Sequence, residues 1–265
     1  MRLVEPCCGS AALSMHLWQN TAALVPYQGN KWRLRREIAA LLPGRITSYW
    51  LNDLGPWGAT WQELLARRPL VLRALQRLAA MDPREAYDRI HGSPVVGGPS
   101  GAAAHLFLQR LAANGKAVAV KEGRWASPGF NPASAYGREG TERFGRVKPQ
   151  LPTLLERVRT MTPPGVHARA THCDAREAVV GPGDVVYLDP PYAGTTRYVS
   201  ADLTRPEVVA LAQSMAEAGA YVIVSEREAL DGGEAVQLRA PKNHDAAFRS
   251  KGGEWATIYK PGGAT

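Results

Sequence analysis

Segments with the length of buried strands alternate with segments of helical periodicity along most of the chain. The predicted strands lie at residues 2–4, 46–51, 168–173, 184–188 and 220–225. Between them, apolar residues recur at helical spacing, and the predicted helices lie at residues 11–18, 32–42, 61–65, 70–81, 105–113, 151–161 and 205–218. This alternation predicts an α/β fold with a doubly wound, mostly parallel sheet that is covered on both faces.

The composition of the chain changes between residues 92 and 150. Glycine and proline become frequent there, and basic residues are scattered among aromatic ones. We therefore predict that residues 66–148 form a separate lobe, built partly from loops. Residues 1–65 and 149–265 would together form the domain that contains the sheet.

Acidic residues follow several of the predicted strands. Glu5, Asp53 and Asp189 stand at strand ends, and Asp174 follows another strand. A single aspartate after a strand is usually a turn or helix-capping residue. Ligands of open α/β sheets, however, bind beyond the carboxyl ends of the strands, and residues 5–10 form a glycine-containing turn between a strand and a helix. Together these features predict a nucleotide-type ligand site at this edge.

The sequence Asp189-Pro190-Pro191-Tyr192 follows a continuous apolar strand. The amino nitrogen of adenine is a weak nucleophile, because its lone pair is delocalised, and acceptors for its two hydrogens would favour the tetrahedral geometry of methyl transfer. The Asp189 carboxylate and the Pro190 carbonyl can be these acceptors, since successive prolines lack N–H groups and stiffen the backbone. Tyr192 can stack on an extruded base. The alternative is a simple turn in which Tyr192 packs.

The chain is basic, with 32 lysines and arginines against 24 acidic residues and a net charge of +8. This balance favours a polyanionic partner such as nucleic acid. No apolar run approaches the roughly 20 residues of a membrane span, and the first residues do not form a signal peptide. We therefore expect a cytoplasmic protein with no membrane partner. The cysteines and histidines show no metal-ligand spacing, so we predict no metal site.

These motifs resemble those of the Dam-type (D12 class) DNA adenine methyltransferases over most of the chain. Residues 4–10 are similar to the family's cofactor loop, with Cys7 in place of the common phenylalanine. Residues 51–53 resemble the acidic strand end that binds the cofactor ribose, and residues 183–192 resemble the catalytic strand. The resemblance implies a Rossmann-like methyltransferase fold with an inserted, partly helical target-recognition lobe, and S-adenosyl-L-methionine as the cofactor.

By this resemblance, the residues expected to contact the cofactor are Glu5, Pro6, Cys8, Gly9, Ser10, Tyr27, Gly29, Lys31, Asp53, Asp174, Ala175 and Asp189. Residues 27–31 are similar to the aromatic-x-Gly-x-Lys element of the family. That element normally precedes the cofactor loop, whereas here it follows the loop. The order of the motifs is therefore permuted relative to the family.

Residues 107–132 resemble the family's target-recognition stretch, in which an Asn-Gly turn opens a hairpin that enters DNA. Asn-Gly is also a general hairpin signal. The residues that we expect to contact phosphates or bases are Asn114, Lys116, Lys121 and Arg124. A solvated basic loop is the alternative for this stretch.

The resemblance implies site-specific methylation of the adenine amino group in double-stranded DNA, with the target base flipped out of the duplex. We expect a monomer or a weak dimer. Two alternatives stay open. The first is an amino-group methyltransferase that acts on RNA or on a protein amide, and the second is a DNA-binding homologue without activity.

Overall fold

The computed structural model describes residues 1–25, 29–140, 146–163, 167–191, 203–238 and 254–262. Within these ranges the strands are β1 (Arg2–Glu5), β2 (Ser48–Asn52), β3 (Ala119–Lys121), β4 (Arg124–Ala126), β5 (Ala168–Thr171), β6 (Asp184–Leu188), β7 (Tyr221–Glu226), β8 (Glu234–Leu238) and β9 (Glu254–Tyr259). The α-helices are α1 (Ala12–Leu17), α2 (Arg35–Ala39), α3 (Pro56–Ala79), α4 (Pro83–Ile90), α5 (Gly98–Leu111), α6 (Pro132–Tyr136), α7 (Leu151–Thr160) and α8 (Arg205–Glu217). None of these helices is long and apolar enough to cross a membrane.

The main sheet has seven strands in the described part of the chain, in the order β5-β2-β1-β6-β7-β9-β8. β9 is antiparallel to its two neighbours, and the other neighbouring strands are parallel. From the central pair β1 and β6, the chain adds strands outward in opposite directions. The predicted α/β fold with a doubly wound, mostly parallel, Rossmann-like sheet is therefore confirmed.

Helices cover both faces of the sheet. Because side chains alternate along a strand, Leu3 and Val185 point into a core with helices α1, α3, α5 and α7. Val4 and Val186 point to the other face, where α8 packs. Strands that are buried on both faces explain the continuous apolar run of β6.

Most predicted helices and strands are present, with shifted ends. The helices predicted at residues 61–65 and 70–81 form one helix, α3, which bends at Arg67 (φ −138°), two residues before Pro69. Proline removes an N–H and collides with the preceding turn, so the helix bends there. The pattern did not predict β8, because the positions of this edge strand are mostly exposed. It also missed α4, a short helix that is rich in charged residues.

Helix α3 continues across the predicted domain boundary at residues 65 and 66 and packs along α5. His105 Nδ1 of α5 lies 2.8 Å from Thr60 Oγ1 near the start of α3, whereas Gly98 lies beside Arg67, further along α3. The two helices are therefore antiparallel. Since α3 begins just after the carboxyl end of β2, the C-terminal end of α5 extends beyond the carboxyl edge of the sheet.

Candidate functional site

The carboxyl ends of β1 and β6 are neighbours at the point where the strand order reverses. Such a switch point opens a crevice in which ligands of doubly wound folds bind. Glu5 ends β1, and Asp189 directly follows β6. Because β9 is antiparallel, its first residue, Glu254, lies at the same edge. The fold thus brings acidic residues from distant parts of the sequence to one edge.

Glu5, the last residue of β1, links the start of the following loop to helix α1. This carboxylate is 2% exposed and accepts hydrogen bonds from the backbone N–H of Ser14, at 3.1 Å, and from its hydroxyl. It therefore caps the first turn of α1. Burial raises the pKa of Glu5 to about 7, although the bonds from Ser14 act in the opposite direction.

Asp53 holds the glycine of the same loop. One carboxylate oxygen accepts the Gly9 N–H at 2.9 Å, and the other accepts the Gly55 N–H at 2.7 Å. The Gly9 carbonyl accepts a bond from Trp61 Nε1 at 2.8 Å. Burial raises the pKa of Asp53, while the two backbone N–H groups partly offset this. The loop is therefore held between β2 and α3.

Gly58 allows α3 to approach this edge closely. A Cβ atom at this position would lie 2.2 Å from the Asp53 carbonyl oxygen and 2.8 Å from that of Thr171. Any side chain would therefore push α3 away from the strand ends. The sequence did not predict this role of Gly58, because Thr171 is distant from it along the chain.

Asn52 joins the ends of three strands, a role that the sequence did not predict. It is completely buried, and its Nδ2 donates to the carbonyls of Pro6 at 3.0 Å and Cys173 at 2.9 Å. Its Oδ1 accepts from the Thr171 hydroxyl at 2.6 Å. A buried amide can satisfy this many partners only in a fixed orientation. Asn52 therefore fixes the loops that follow β1 and β5 relative to β2.

Lys31 reaches the carboxyl end of β6. Its Nζ lies 2.7 Å from Asp189 Oδ1 and 3.3 Å from Glu254 Oε1, and the side chain is 8% exposed. Burial alone would lower the pKa of Lys31, but the charges of Asp189 and Glu254 outweigh it and raise the pKa. Burial raises the pKa of Asp189 to about 6, with Lys31 acting against this rise.

Asn30 joins the Lys31 segment to the loop after β1. Its Nδ2 donates to Ser10 Oγ at 2.9 Å and to the Val25 carbonyl at 3.3 Å, while its Oδ1 accepts the Trp32 N–H at 2.7 Å. The last bond caps the short 3-10 helix Lys31–Leu34. These bonds hold Lys31 beside the switch point. Gly29 precedes this cap with φ +89°, and Tyr27 lies outside the described residues.

Asp174 and Ala175 follow β5 at the same edge. Asp174 caps the 3-10 helix Ala175–Glu177, accepting the Arg176 N–H at 2.9 Å and Arg176 Nε at 3.0 Å. These bonds from Arg176 lower the pKa of Asp174. Burial and then the charges of Asp53, Asp189 and Asp174 raise the pKa of Cys7. Cys7 lies in the loop that also contains Pro6, Cys8, Gly9 and Ser10.

The catalytic sequence is described as far as Pro191. Pro190 is buried and Pro191 is partly exposed at the end of β6, while Tyr192 lies outside the described residues. Glu226, at the end of the neighbouring strand β7, was not predicted. It is 8% exposed, and burial raises its pKa to about 7.

The four residues that we expected to contact DNA fall into two groups, Asn114 with Lys116 and Lys121 with Arg124. Asn114 (φ 54°) and Gly115 form a turn after α5, but the β3–β4 hairpin turns at Glu122 and Gly123, which also have positive φ. The Asn-Gly turn therefore precedes the hairpin and is not the turn that joins its two strands. Local backbone preference marks both sites as turns and does not say which one joins paired strands.

Lys116 and the Lys121–Arg124 pair lie at different ends of α5. The buried Gln109, near the C-terminal end of α5, donates to the Lys116 carbonyl at 3.0 Å. The hairpin turn instead lies beside the residues that precede α5, since the Val95 N–H donates to the Gly123 carbonyl at 2.8 Å. At about 1.5 Å per residue, these regions are separated by most of the helix.

Among the described residues, no group of histidine, cysteine or acidic side chains has the arrangement of a metal site.

No family model matches the chain, and no curated protein matches it. One similar solved structure is the rRNA methyltransferase AviRa from Streptomyces viridochromogenes. The two chains are 17% identical, the match covers 97% of this chain and 75% of that chain, and the TM-score is 0.33. A likeness at this level does not extend to function, which has to be inferred from the site itself.

Proposed function

We propose that this protein is an S-adenosylmethionine-dependent methyltransferase that acts on the exocyclic amino group of adenine in DNA. The observation that carries the proposal is the Asp189 carboxylate, which lies at the switch point, precedes two prolines and is paired with Lys31 at 2.7 Å. The resemblance of residues 183–192 to a catalytic strand supports the same chemistry, and the basic charge of the chain supports a nucleic-acid substrate.

The residues at the carboxyl edge fit this cofactor. S-adenosylmethionine carries a positively charged sulfonium, and the carboxylates of Asp53, Asp174 and Asp189 follow β2, β5 and β6 at the same edge of the sheet. Each Asp53 oxygen accepts one backbone N–H and retains a second lone pair that could accept a ribose hydroxyl. When bound, the cofactor would supply an electrophilic methyl group. The loop after β1 and the end of β2 would hold it.

Asp189 would act on the amino group of the target base. Its carboxylate would accept one N–H and the Pro190 carbonyl would accept the other, which favours a tetrahedral nitrogen. As the nitrogen–carbon bond forms and the carbon–sulfur bond of the cofactor breaks, the amino nitrogen must lose a proton, which the Asp189 carboxylate would receive. Lys31 orients Asp189 and stabilises its charged form. Positioning of this kind is a large part of the catalysis available to such a site.

This proposal predicts a dependence on pH. Asp189 must be ionised to accept the N–H, and its pKa is raised to about 6. The rate of transfer should therefore decline about tenfold for each pH unit below that value. The Lys31 pKa is raised above its ordinary value, so this residue stays protonated over the same range.

The direct test is transfer of a labelled methyl group to unmethylated duplex DNA, RNA and protein, followed by mass spectrometry of the modified nucleosides. We expect N6-methyladenine from DNA, and no label on a duplex whose adenines already carry the methyl group. If the label appears only on RNA or only on protein, that molecule is the substrate and the proposal of DNA adenine is wrong. If calorimetry detects no S-adenosylmethionine binding at millimolar concentration, the chain is not a methyltransferase.

A further inference from the structure

Two carboxylates share the ammonium group of Lys31. Its Nζ lies 2.7 Å from Asp189 Oδ1 and 3.3 Å from Glu254 Oε1, and the Gly29 carbonyl oxygen lies 3.5 Å from it. The side chains of Lys31, Asp189 and Glu254 are 8%, 19% and 17% exposed, so both ion pairs are shielded from water. An ammonium group has three N–H donors, and three acceptors surround this one. The reaction proposed above gives roles to Asp189 and Lys31 but none to Glu254.

The two carboxylates come from strands that are not neighbours. Asp189 follows β6 and Glu254 begins β9, while β7 lies between these strands in the sheet. Neighbouring strands are about 4.8 Å apart, so the two strand ends are separated by roughly 10 Å. Asp189 and Glu254 each lie two residues from a side chain of the core beneath α1, namely Tyr187 and Ala256. Because side chains alternate along a strand, both carboxylates lie on this face, and the ammonium group bridges them.

The intervening strand leaves room for this bridge. On β7 the side chain on the same face is Ser225, which is completely buried, and its Oγ lies 2.7 Å from the hydroxyl of Tyr187. The next residue, Glu226, belongs to the opposite face, as Val224 does. Alternation along β7 and β9 therefore explains why Glu254, from the more distant strand, provides the second carboxylate for the ammonium group.

The three charged side chains carry a net charge of −1 when all are ionised. Lys31 alone would neutralise Asp189 and weaken it as a proton acceptor, whereas a second carboxylate offsets part of the lysine charge. Burial is the main cause of the raised pKa of Asp189, the charge of Lys31 lowers this pKa, and the charge of Glu254 raises it. A general base is most effective when its pKa is close to the pH of the reaction. Glu254 thus allows Lys31 to orient Asp189 while Asp189 stays basic.

We propose that Glu254 is a positioning residue of the methyl-transfer site, which holds the Lys31 ammonium group across the end of β7 so that Asp189 is oriented and remains a proton acceptor. In the step that it supports, the nitrogen–carbon bond forms, the carbon–sulfur bond breaks and the amino proton moves to Asp189. Glu254 acts through Lys31 and exchanges no proton in this step. Its role in catalysis rests on the proposed function, whereas its pairing with Lys31 does not.

The pH dependence of methyl transfer to duplex DNA tests this role. We expect Glu254→Gln to lower kcat at neutral pH by about tenfold, less than the roughly 10²–10⁴-fold contribution of a general base itself. The acid limb of the profile should move to lower pH, because removal of the Glu254 charge lowers the pKa of Asp189. Glu254→Asp keeps the charge and should restore the acid limb to its wild-type position.

Other titratable groups cannot produce this difference between the variants. Those that also lie at the carboxyl edge in the described part of the chain are the same in all of them: Glu5, Cys7, Asp53, Asp174, Tyr187 and Glu226. Glu234→Gln is the matched control, because it removes an exposed pair with Lys260 on the strand next to β9. It should keep both the wild-type kcat and the wild-type acid limb.

A structural role of Glu254 gives a different result. If this residue only anchors the start of β9, Glu254→Gln should lower the urea midpoint of unfolding and the amount of active enzyme but leave the acid limb where it is. An unmoved acid limb would overturn the proposal, whatever happens to kcat. A shift that Glu254→Asp does not reverse would also overturn it, because the charge would then not be the cause.

A double-mutant cycle tests the pairing without any methyl transfer. Glu254→Gln should lower the urea midpoint of the wild type but not that of Lys31→Met, in which the carboxylate has already lost its cation. Equal losses in the two backgrounds would overturn the proposal. If the wild type transfers no methyl group although the cycle shows coupling, the proposed function fails and the pairing stands. Should Lys31→Met fail to fold, the pH profiles of the Glu254 variants still decide.

Discussion

The carboxyl edge of the sheet and the β3–β4 hairpin differ in how their charged side chains are exposed to solvent. At the edge, Glu5, Asp189 and Lys31 are largely buried and paired with one another or with backbone and hydroxyl groups. At the hairpin turn, Lys121 and Arg124 are exposed. Removing one partner of a buried ion pair costs several kcal/mol, and the pair fixes the geometry of its side chains. Exposed charges add little to stability and attract a polyanion. The carboxyl edge is thus suited to a fixed active site, and the hairpin turn is suited to contact with a polyanion such as nucleic acid.

The largest loss of stability should follow replacement of Lys31 by methionine. Asp189 would then lose the ammonium group that lies 2.7 Å from its Oδ1, and breaking a buried pair costs about 3–5 kcal/mol. Urea unfolding should show this loss. Lys260→Met, which removes an exposed pair with Glu234, should leave the unfolding midpoint unchanged. If the two variants lose equal stability, the buried pair contributes no more than the exposed pair, which would contradict the comparison.

Asn52→Ala should have the next largest effect. It leaves the carbonyls of Pro6 and Cys173 without this donor, and each unsatisfied buried group costs about 1–3 kcal/mol. The Thr171 hydroxyl loses its acceptor but still accepts a bond from Trp50 Nε1. Affinity for S-adenosylmethionine, measured by calorimetry, should fall with stability. Asn20→Ala removes one bond, to the Met15 carbonyl, and should leave that affinity unchanged. If Asn52→Ala also leaves the affinity unchanged, the strand-end network does not shape the cofactor site.

Glu226→Gln should stabilise the protein at high pH by about 1–3 kcal/mol. Burial raises the pKa of Glu226 to about 7, above its unfolded value, so the folded state holds a proton that the unfolded state releases. Stability therefore falls as the pH rises from the unfolded value through about 7. The amide should flatten this dependence in urea unfolding. The exposed Glu217→Gln is the control, and an unchanged pH profile for Glu226→Gln would show that burial of the carboxylate is not costly.

The smallest effects on stability should come from Lys116→Gln and Lys121→Gln, which should leave unfolding nearly unchanged. Each should weaken duplex binding and reduce the salt slope by about one. Because the two residues lie at different ends of α5, their effects should be additive. A double variant that is no weaker than either single variant would show that the two lysines do not both contact DNA.

The sequence predicted the parallel sheet and the strand-end acids well, because continuous apolar strands and carboxylates after them are local signals. The structure places Lys31 at the same edge, beside Asp189, and its predicted contact with a cofactor stays a prediction. The sequence could not predict Asn52, Gly58 or Glu226, whose roles depend on which strands become neighbours. The pattern likewise missed β8, and local turn preference could not distinguish Asn114-Gly115 from Glu122-Gly123 as the turn of the hairpin.

The most direct measurement of the central claim compares Asp189→Asn with Asp184→Asn in methyl transfer to duplex DNA. The two residues lie at opposite ends of β6, and Asp184 pairs with Arg2 at the far edge of the sheet. Loss of one positioned catalytic group should lower kcat about 10²–10³-fold for Asp189→Asn, with duplex binding unchanged. Asp184→Asn should keep near-normal turnover. Near-normal turnover of Asp189→Asn would contradict the account.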